Sequence, residues 1–149
     1  MFPRWVFFYL SLTAACLAAA ATDRFATVTI EPAKTSIYIG SVTMTMPAFR
    51  RVGQRYESSY VAKIVPYFFY NERGTLSIEF SDEQLARLGR GERVDFAGKG
   101  RNEAGKDRRI EGYATPANAL TGKIKVRVFV SKTIELIFNT TYRFAPAER

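Results

Sequence analysis

The chain of 149 residues contains no histidine and only one cysteine, Cys16. Histidine is the side chain that most often transfers protons in catalysis and binds metals, so its absence excludes imidazole-based acid–base chemistry and histidine metal sites. A single cysteine forms no disulfide within the chain. Many classes of enzyme, and the disulfide-rich secreted domains, are therefore excluded by composition alone.

Long hydrophobic runs are also missing, except at the amino terminus. There Arg4 precedes an apolar stretch at residues 5–17, and a run of alanines follows. The stretch is shorter than the roughly 18 residues of a membrane-spanning helix, and small residues after it are typical of a signal peptidase site. We therefore predict a cleavable signal peptide at residues 1–21, with cleavage before Ala21 and before Thr22 equally compatible with the sequence.

Two alternatives concern the same segment. A membrane anchor is disfavoured by the short apolar core. Lipid attachment to Cys16 is disfavoured by Thr13, which stands where a branched aliphatic residue is expected.

An exported chain without further cysteines is more typical of a bacterial envelope than of eukaryotic secretion. We predict a periplasmic or extracellular location, with the outer membrane as the less favoured alternative.

The rest of the chain is basic and has the size of one domain. Removing residues 1–21 takes away one basic residue, Arg4, and no acidic one, so the net charge falls from +8 to +7. A chain of this length buries about two-thirds of its unfolded surface without the help of disulfides. The sequence predicts a single β-rich domain over residues 22–149.

After the signal, apolar residues recur with period two, which indicates strands. Turn residues separate the runs at intervals typical of sandwiches and small barrels. The predicted strands cover residues 25–30, 37–46, 56–69, 75–80, 93–97, 108–113, 123–130 and 133–144. The predicted fold class is all-β with one short helix, an antiparallel β-sandwich or small barrel of about seven to eight strands.

Glycine and proline mark the interruptions. Gly40 is assigned to a β-bulge, because the apolar face changes sides after it. Pro66 cannot donate to a ladder, so it is assigned to an edge or bend within segment 56–69. Residues 71–74 are assigned to the hairpin loop before the strand at 75–80.

One short helix follows this hairpin. Ser81 is the predicted N-cap, because its hydroxyl suits the free N–H groups of a first helical turn. Asp82 and Glu83 are assigned to the first turn, and Leu85 and Leu88 to the apolar side of the helix. Gly89 or Gly91 is assigned to its end.

The last hairpin has the clearest pattern. Its first strand places Ile124, Val126, Val128 and Val130 on one face, opposite the residues that we call the basic stripe, Lys123, Lys125 and Arg127. The return strand keeps Ile134, Leu136, Phe138, Tyr142 and Phe144 on one face. This alternation is typical of antiparallel strands that cover a core with one face and meet water with the other.

Two basic features are candidates for binding anions. The basic segment, Gly98–Arg109, combines three glycines with five basic side chains, which suits contacts to phosphate or sulfate. Its candidates are Lys99, Arg101, Lys106, Arg108 and Arg109, and the basic stripe adds Lys123, Lys125 and Arg127. If segment and stripe meet, they form one anion-binding surface. The alternative for the basic segment is a solvated hairpin loop that connects Val94–Ala97 to Ile110–Tyr113, and the alternative for the basic stripe is an ordinary charged outer face.

Four consecutive aromatic residues are candidates for partner contact: Tyr67, Phe68, Phe69 and Tyr70. In a strand they direct two rings to each side, so one pair enters the core. We expect the short helix to cover the other pair through Leu85 and Leu88. Contact with sugars or with a protein partner is the alternative.

Evidence for catalysis is weak. Glu79, Asp82 and Glu83 cluster in sequence, as the paired acids of a glycosidase do, but negative charge at 82–83 also suits the first turn of a helix. The serines have no histidine partner and lie in no nucleophile elbow. We assign no catalytic residue, no metal ligand and no cofactor.

The sequence therefore predicts a non-enzymatic, exported binding or structural module. Its expected partners are anionic envelope polysaccharide or lipid head groups; a protein partner stays open, and export excludes intracellular nucleic acid. One alternative is a small outer-membrane β-barrel, in which Ile124, Val126 and Val128 face lipid and the basic stripe faces a polar lumen. Another is an enzyme with a carboxylate or lysine centre.

Overall fold

The computed structural model describes residues 24–147, so the predicted signal peptide and its cleavage site lie outside the described residues. Residues 24–147 form ten strands, one 3-10 turn at Phe68–Tyr70 and one helix, α1, at Asp82–Gly89. The strands are β1 (Thr27–Ile30), β2 (Ala33–Ile37), β3 (Gly40–Thr45), β4 (Phe49–Val52), β5 (Arg55–Val65), β6 (Glu72–Glu79), β7 (Val94–Asn102), β8 (Asp107–Pro116), β9 (Thr121–Phe129) and β10 (Glu135–Ala145).

The strands form a closed antiparallel barrel, so the prediction of an all-β fold is confirmed in its barrel form. Eight strands make the ring in the order β1–β10–β9–β8–β7–β6–β5–β4, and β4 returns to β1. The β2–β3 hairpin extends the wall, because β3 pairs with the second half of β5, beyond the reach of β4. Pairing of β1 with β10, which sets Val28 opposite Phe144, closes the ring.

Every second side chain of the wall points into the barrel. In β9, Ile124, Val126 and Val128 line the interior, whereas Lys123 and Arg127 are exposed on the outer surface. The predicted hairpin with one core face and one wet face is therefore confirmed. The outer-membrane alternative requires the reverse orientation, with these apolar side chains facing lipid.

Helix α1 closes one end of the barrel, which we call the helix end. Its N-cap is Ser81, as predicted: the Ser81 hydroxyl accepts from the Gln84 N–H at 3.2 Å, and the Gln84 side chain accepts from the Ser81 N–H at 2.7 Å. This reciprocal capping box satisfies donors that the first turn leaves free. The buried side chains of Leu85 and Leu88 pack into the core of the barrel.

Polar contacts attach α1 to the wall. The nearly buried Arg51 guanidinium donates to Phe80 O at 2.8 Å and to Asp82 Oδ1 at 2.8 Å. Gln54 Nε2 donates to Asp82 Oδ2 at 3.0 Å, and the Asp82 N–H donates back to Gln54 Oε1 at 2.9 Å. The hydrogen bonds from Gln54 and Arg51 hold the pKa of Asp82 below its usual value. Asp82 therefore serves the attachment of the helix.

The predicted bulge at Gly40 is a hairpin turn instead. Tyr38 and Ile39 form a two-residue turn between β2 and β3, with Ile37 opposite Gly40. The apolar face changes sides at this point because the chain reverses direction. Glycine is required since a Cβ atom at Gly40 would lie 2.2 Å from Val65 O.

Two predicted loops belong mostly to strands. In the basic segment, β7 continues to Asn102 and β8 starts at Asp107, so the connection is only residues 103–106. Residues 72–74 already belong to β6. The hairpin connection is residues 66–71, and the predicted bend at Pro66 is confirmed because β5 ends at the residue before it.

Candidate ligand-binding cavity

The barrel encloses a cavity of about 280 Å³. Its lining is almost entirely apolar and comes from strands around the whole ring, including Val42, Met44, Ile110, Val128 and Leu136. Small residues at inward positions, among them Ala62, Gly100 and Ala114, leave space between the larger side chains. An eight-stranded barrel has an interior that either fills with side chains or holds one small ligand. This barrel retains room for a ligand.

The end opposite α1 is formed by turns, and we call it the open end. Because the strands run up and down, the turns that follow β2, β5, β7 and β9 meet there: residues 38–39, 66–71, 103–106 and 130–134. A hydrogen bond of 3.1 Å from the Glu103 N–H to Arg73 O joins the turn at 103–106 to the start of β6. Within residues 24–147, no α-helix covers this end.

Three polar side chains line the cavity toward the open end, and we call them the mouth triad: Tyr60, Glu72 and Arg108. The Tyr60 hydroxyl donates to Glu72 Oε1 at 2.5 Å, and Arg108 Nη2 donates to Glu72 Oε2 at 3.1 Å. Arg108 Nη1 also donates to Val130 O at 3.2 Å. The side chains of Arg108 and Glu72 point inward yet are 15% and 23% exposed, so solvent reaches the cavity here.

The mouth triad carries one negative and one positive charge. Burial raises the pKa of Glu72, but hydrogen bonds from Tyr60 and Arg108 outweigh burial and hold this pKa below its usual value. Burial, together with the hydrogen bond to Glu72, raises the pKa of Tyr60 far above its usual value. At neutral pH the triad is therefore neutral as a whole. Arg108 has five N–H donors, and the described contacts leave some of them for a ligand.

The predicted basic residues divide between the inside and the outside of the barrel. Arg108 points inward as part of the mouth triad, whereas Lys106 lies in the turn at 103–106. The remaining basic candidates lie on the outer wall. Cross-strand pairing sets Lys99 opposite Arg109, and β8 pairs in turn with β9, which carries the basic stripe. Segment and stripe therefore share the outer face of β7, β8 and β9.

Carboxylates interrupt this outer face. The ion pairs are Arg101–Asp107 at 3.8 Å, Arg109–Glu111 at 3.0 Å and Arg127–Glu135. Three lysines, Lys99, Lys123 and Lys125, form no ion pair with a carboxylate of residues 24–147. Any excess positive charge available to a partner on this face therefore lies on the lysines.

The aromatic candidates lie at the open end. Phe68, Phe69 and Tyr70 form the 3-10 turn after Tyr67 and are 74%, 66% and 65% exposed. The Phe69 ring lies between 4.6 and 6.0 Å, centroid to centroid, from each of the other three rings. The prediction that two rings enter the core and that α1 covers the others is wrong, because the chain leaves the sheet at Pro66 and α1 closes the opposite end. As contact candidates these residues stay a prediction.

The acidic candidates differ in their surroundings. Asp82 is occupied by Gln54 and Arg51 at the start of α1, and Glu79 is exposed at the end of β6. In the part of the chain that the structure describes, no three acidic, histidine or cysteine side chains are grouped as ligands of a metal ion.

Comparison with models of protein families, with curated proteins and with solved structures found no match for this chain. Over residues 24–147, no helix has the length and hydropathy needed to cross a membrane. By its geometry the protein is an eight-stranded antiparallel barrel with an apolar cavity, closed by a helix at one end.

Sequence reasoning missed the mouth triad as a site, although the strand period contains its signal. Arg108 has the same parity as the inward Ile110, and Glu72 has the same parity as the inward Leu76. A charged residue in the apolar register of a strand points toward the core. The signal is hidden at Glu72 because this residue lies in a predicted loop. Arg108 begins a predicted strand, but its charge places it in the basic segment.

Proposed function

We propose that this protein binds a small apolar ligand, a single hydrocarbon chain or ring, inside the barrel. The observation that carries the proposal is the apolar cavity of about 280 Å³, which solvent reaches beside the mouth triad. Apolar-lined cavities of about 150 Å³ already take up a ligand of the size of benzene. Each methylene group that leaves water contributes about 0.8 kcal/mol, so a chain of a few carbons gains appreciable affinity.

The mouth triad orients this ligand. Glu72 and Arg108 are the charged residues among the described residues of the lining, and both lie toward the open end. A ligand that enters there directs its hydrocarbon part toward the helix end and leaves its polar end beside Arg108. Because Glu72 already neutralises Arg108, the site favours an uncharged polar end, such as a hydroxyl or an ester carbonyl, over a carboxylate.

The experiment compares two neighbouring substitutions in β5. Ala62 lines the cavity, whereas the Val61 side chain points outward. Ala62→Phe places a ring in the cavity, and Val61→Phe adds a ring outside it. Binding of a polarity-sensitive fluorescent acyl ester is measured for both variants and for the wild type. If Ala62→Phe displaces only two methylene groups, it costs about 1.6 kcal/mol, or about tenfold in affinity.

Val61→Phe should bind the probe as the wild type does, and thermal unfolding shows whether each variant is folded. The proposal is contradicted if the wild type does not bind the probe, or if folded Ala62→Phe binds it unchanged. Equal losses in both variants would also contradict it, because the outer wall would then contribute as much as the cavity.

A second candidate function uses the outer wall. The adjacency of β7, β8 and β9 sets Lys99 on the same face as Lys123 and Lys125, which supports binding of an anionic polymer such as envelope polysaccharide. The ion pairs that occupy the arginines of this face make it the weaker candidate. Location in the periplasm or outside the cell stays a prediction for either function.

A further inference from the structure

We propose that the open end of the barrel docks on an anionic lipid membrane. The surface is an apolar rim made by Tyr38, Ile39, Val65, Phe68, Phe69 and Tyr70, all exposed. Docking would also give an apolar ligand a route from the membrane into the cavity, and this part of the inference rests on the proposed function. Docking itself is measured without any cavity ligand, so the two proposals fail separately.

The rim is one surface, although its residues come from two turns and from the last residue of β5. Gly40, which follows the turn at Tyr38 and Ile39, packs so closely on the end of β5 that an added Cβ atom would meet Val65 O. The aromatic turn is fixed to the same strand, because the Ile64 N–H donates to Asn71 Oδ1 at 2.8 Å. Both turns are therefore attached to the last residues of β5, which brings them to the same part of the open end.

These side chains are exposed to an unusual degree. Tyr38 is fully exposed, and Phe68, Phe69 and Tyr70 are mostly exposed although the Phe69 ring packs against the other three aromatic rings of this segment. A contiguous exposed patch of aromatic side chains marks a site of interaction with a protein or a membrane. Aromatic side chains are enriched where membranes meet water, since their rings suit the layer between head groups and hydrocarbon.

Lysines surround the rim and favour a membrane with anionic head groups. Lys63 lies outward on β5, two residues before Val65, and Thr43 of β3 separates it from Lys34 of β2 at the same level of the wall. Lys106 and Lys132 lie in two of the turns of the open end. These four lysines form no ion pair with a carboxylate of residues 24–147. Lysines near an anionic membrane surface each add to attraction.

The same charges argue against a second copy of the chain as the occupant. In a twofold dimer through the rim, the lysines that surround the rim of one copy would face the equally positive surroundings of the rim of the other copy. An anionic membrane removes this repulsion and accepts the aromatic rings. It is also a source of hydrocarbon chains, and the cavity opens toward it.

The test measures sedimentation with vesicles of equal parts phosphatidylglycerol and phosphatidylcholine, and with vesicles of phosphatidylcholine alone. The protein is used as recovered from the producing cell, with its amino terminus determined by mass spectrometry and the same in all variants. The rim variant is Phe68→Ser, Phe69→Ser, Tyr70→Ser. Its control is Val52→Ser, Ile137→Ser, which removes exposed apolar side chains outside the rim.

The rim variant should partition at least about tenfold more weakly into anionic vesicles, since three rings no longer leave water. Lys63→Glu, Lys132→Glu should weaken binding as well, whereas the outer-wall control Lys123→Glu, Lys125→Glu should bind like the wild type. Pure phosphatidylcholine should bind the wild type more weakly. Thermal unfolding should be unchanged in the rim variant, because its side chains are not part of the core.

A site-specific readout excludes contributions from the rest of the chain. Brominated lipids should quench the emission of Phe69→Trp and shift it to the blue, relative to Val52→Trp, which carries its tryptophan near the helix end. The proposal is overturned if these two variants respond alike, or if the rim variant binds vesicles like the wild type. Loss of binding only in the outer-wall variant would overturn it too. A dimer that the rim variant abolishes, without vesicle binding, would assign the rim to a second copy.

Discussion

At the scale of single residues, Glu72 and Arg108 are the positions where the interior departs from an apolar barrel. Two charges in a largely apolar wall are stable only where each has partners. Glu72 receives hydrogen bonds from Tyr60 and Arg108, and Arg108 also reaches Val130 O. The barrel therefore places both charges of its lining toward the open end, and the remaining wall is largely apolar.

Glu72→Gln should destabilise the protein at neutral pH by about 1–3 kcal/mol, because it leaves the Arg108 charge without its carboxylate. Glu79→Gln, on the exposed face of the same strand, is the matched control and should change stability by less than about 0.5 kcal/mol. Urea unfolding at pH 7 measures both. Equal stability of the two variants would show that the ion pair contributes nothing.

The pH dependence of this difference follows from the pKa of Glu72, which is lower in the folded than in the unfolded chain. The unfolded chain then binds more protons than the folded chain below the usual glutamate pKa of about 4.3, so stability falls as the pH falls. The contribution of Glu72 is fully present above that value and is lost as the pH drops through the folded pKa. Wild type and Glu72→Gln should therefore become more alike in acid. A difference that stays constant down to strongly acidic pH would contradict the assignment.

At the scale of elements, α1 is the part of the barrel that depends most on local sequence. Its start is fixed by Ser81 and Gln84, and its position on the wall by Arg51 and Asp82.

Ser81→Ala removes one half of the capping box and should lower the free energy of unfolding by about 1 kcal/mol. Ser59→Ala, on the exposed face of β5, should leave it unchanged. Thermal unfolding of both variants checks the prediction, and equal melting temperatures would refute it.

The same local rules explain which elements the sequence reveals. The capping residues of α1 and the strict alternation of the last hairpin carry their structure in adjacent residues, so both were predicted. The turn at Tyr38 and Ile39 has no typical turn dipeptide, and only the approach of Gly40 to Val65, 25 positions further along the chain, explains it. Four consecutive aromatic residues are compatible with a buried strand and with a turn. The hydrophobic period therefore does not predict that they lie outside the sheet.

At the scale of the whole molecule, closure of the barrel decides which side of each strand is inside. It depends on pairings between distant parts of the chain, such as Val28 opposite Phe144. Alternation along one strand does not reveal them, which is why sandwich and barrel remained equal alternatives. Closure also makes the cavity, because eight strands enclose more volume than the inward alanines and glycines fill.

Within the barrel, the pairing of β7 with β8 and of β8 with β9 sets the basic segment on the same outer face as the basic stripe, which permits a test of the outer wall as a polyanion site. Double substitution Lys123→Glu, Lys125→Glu should weaken retention on an acidic polysaccharide by at least about tenfold at low salt and flatten its salt dependence. Arg127→Glu should have a smaller effect, because Glu135 already pairs with Arg127. Ser59→Glu, on the exposed face of β5, is the control for added negative charge. The lysines of this wall do not bind a polyanion if the wild type is not retained, or if the lysine variant elutes at the same salt concentration as the wild type.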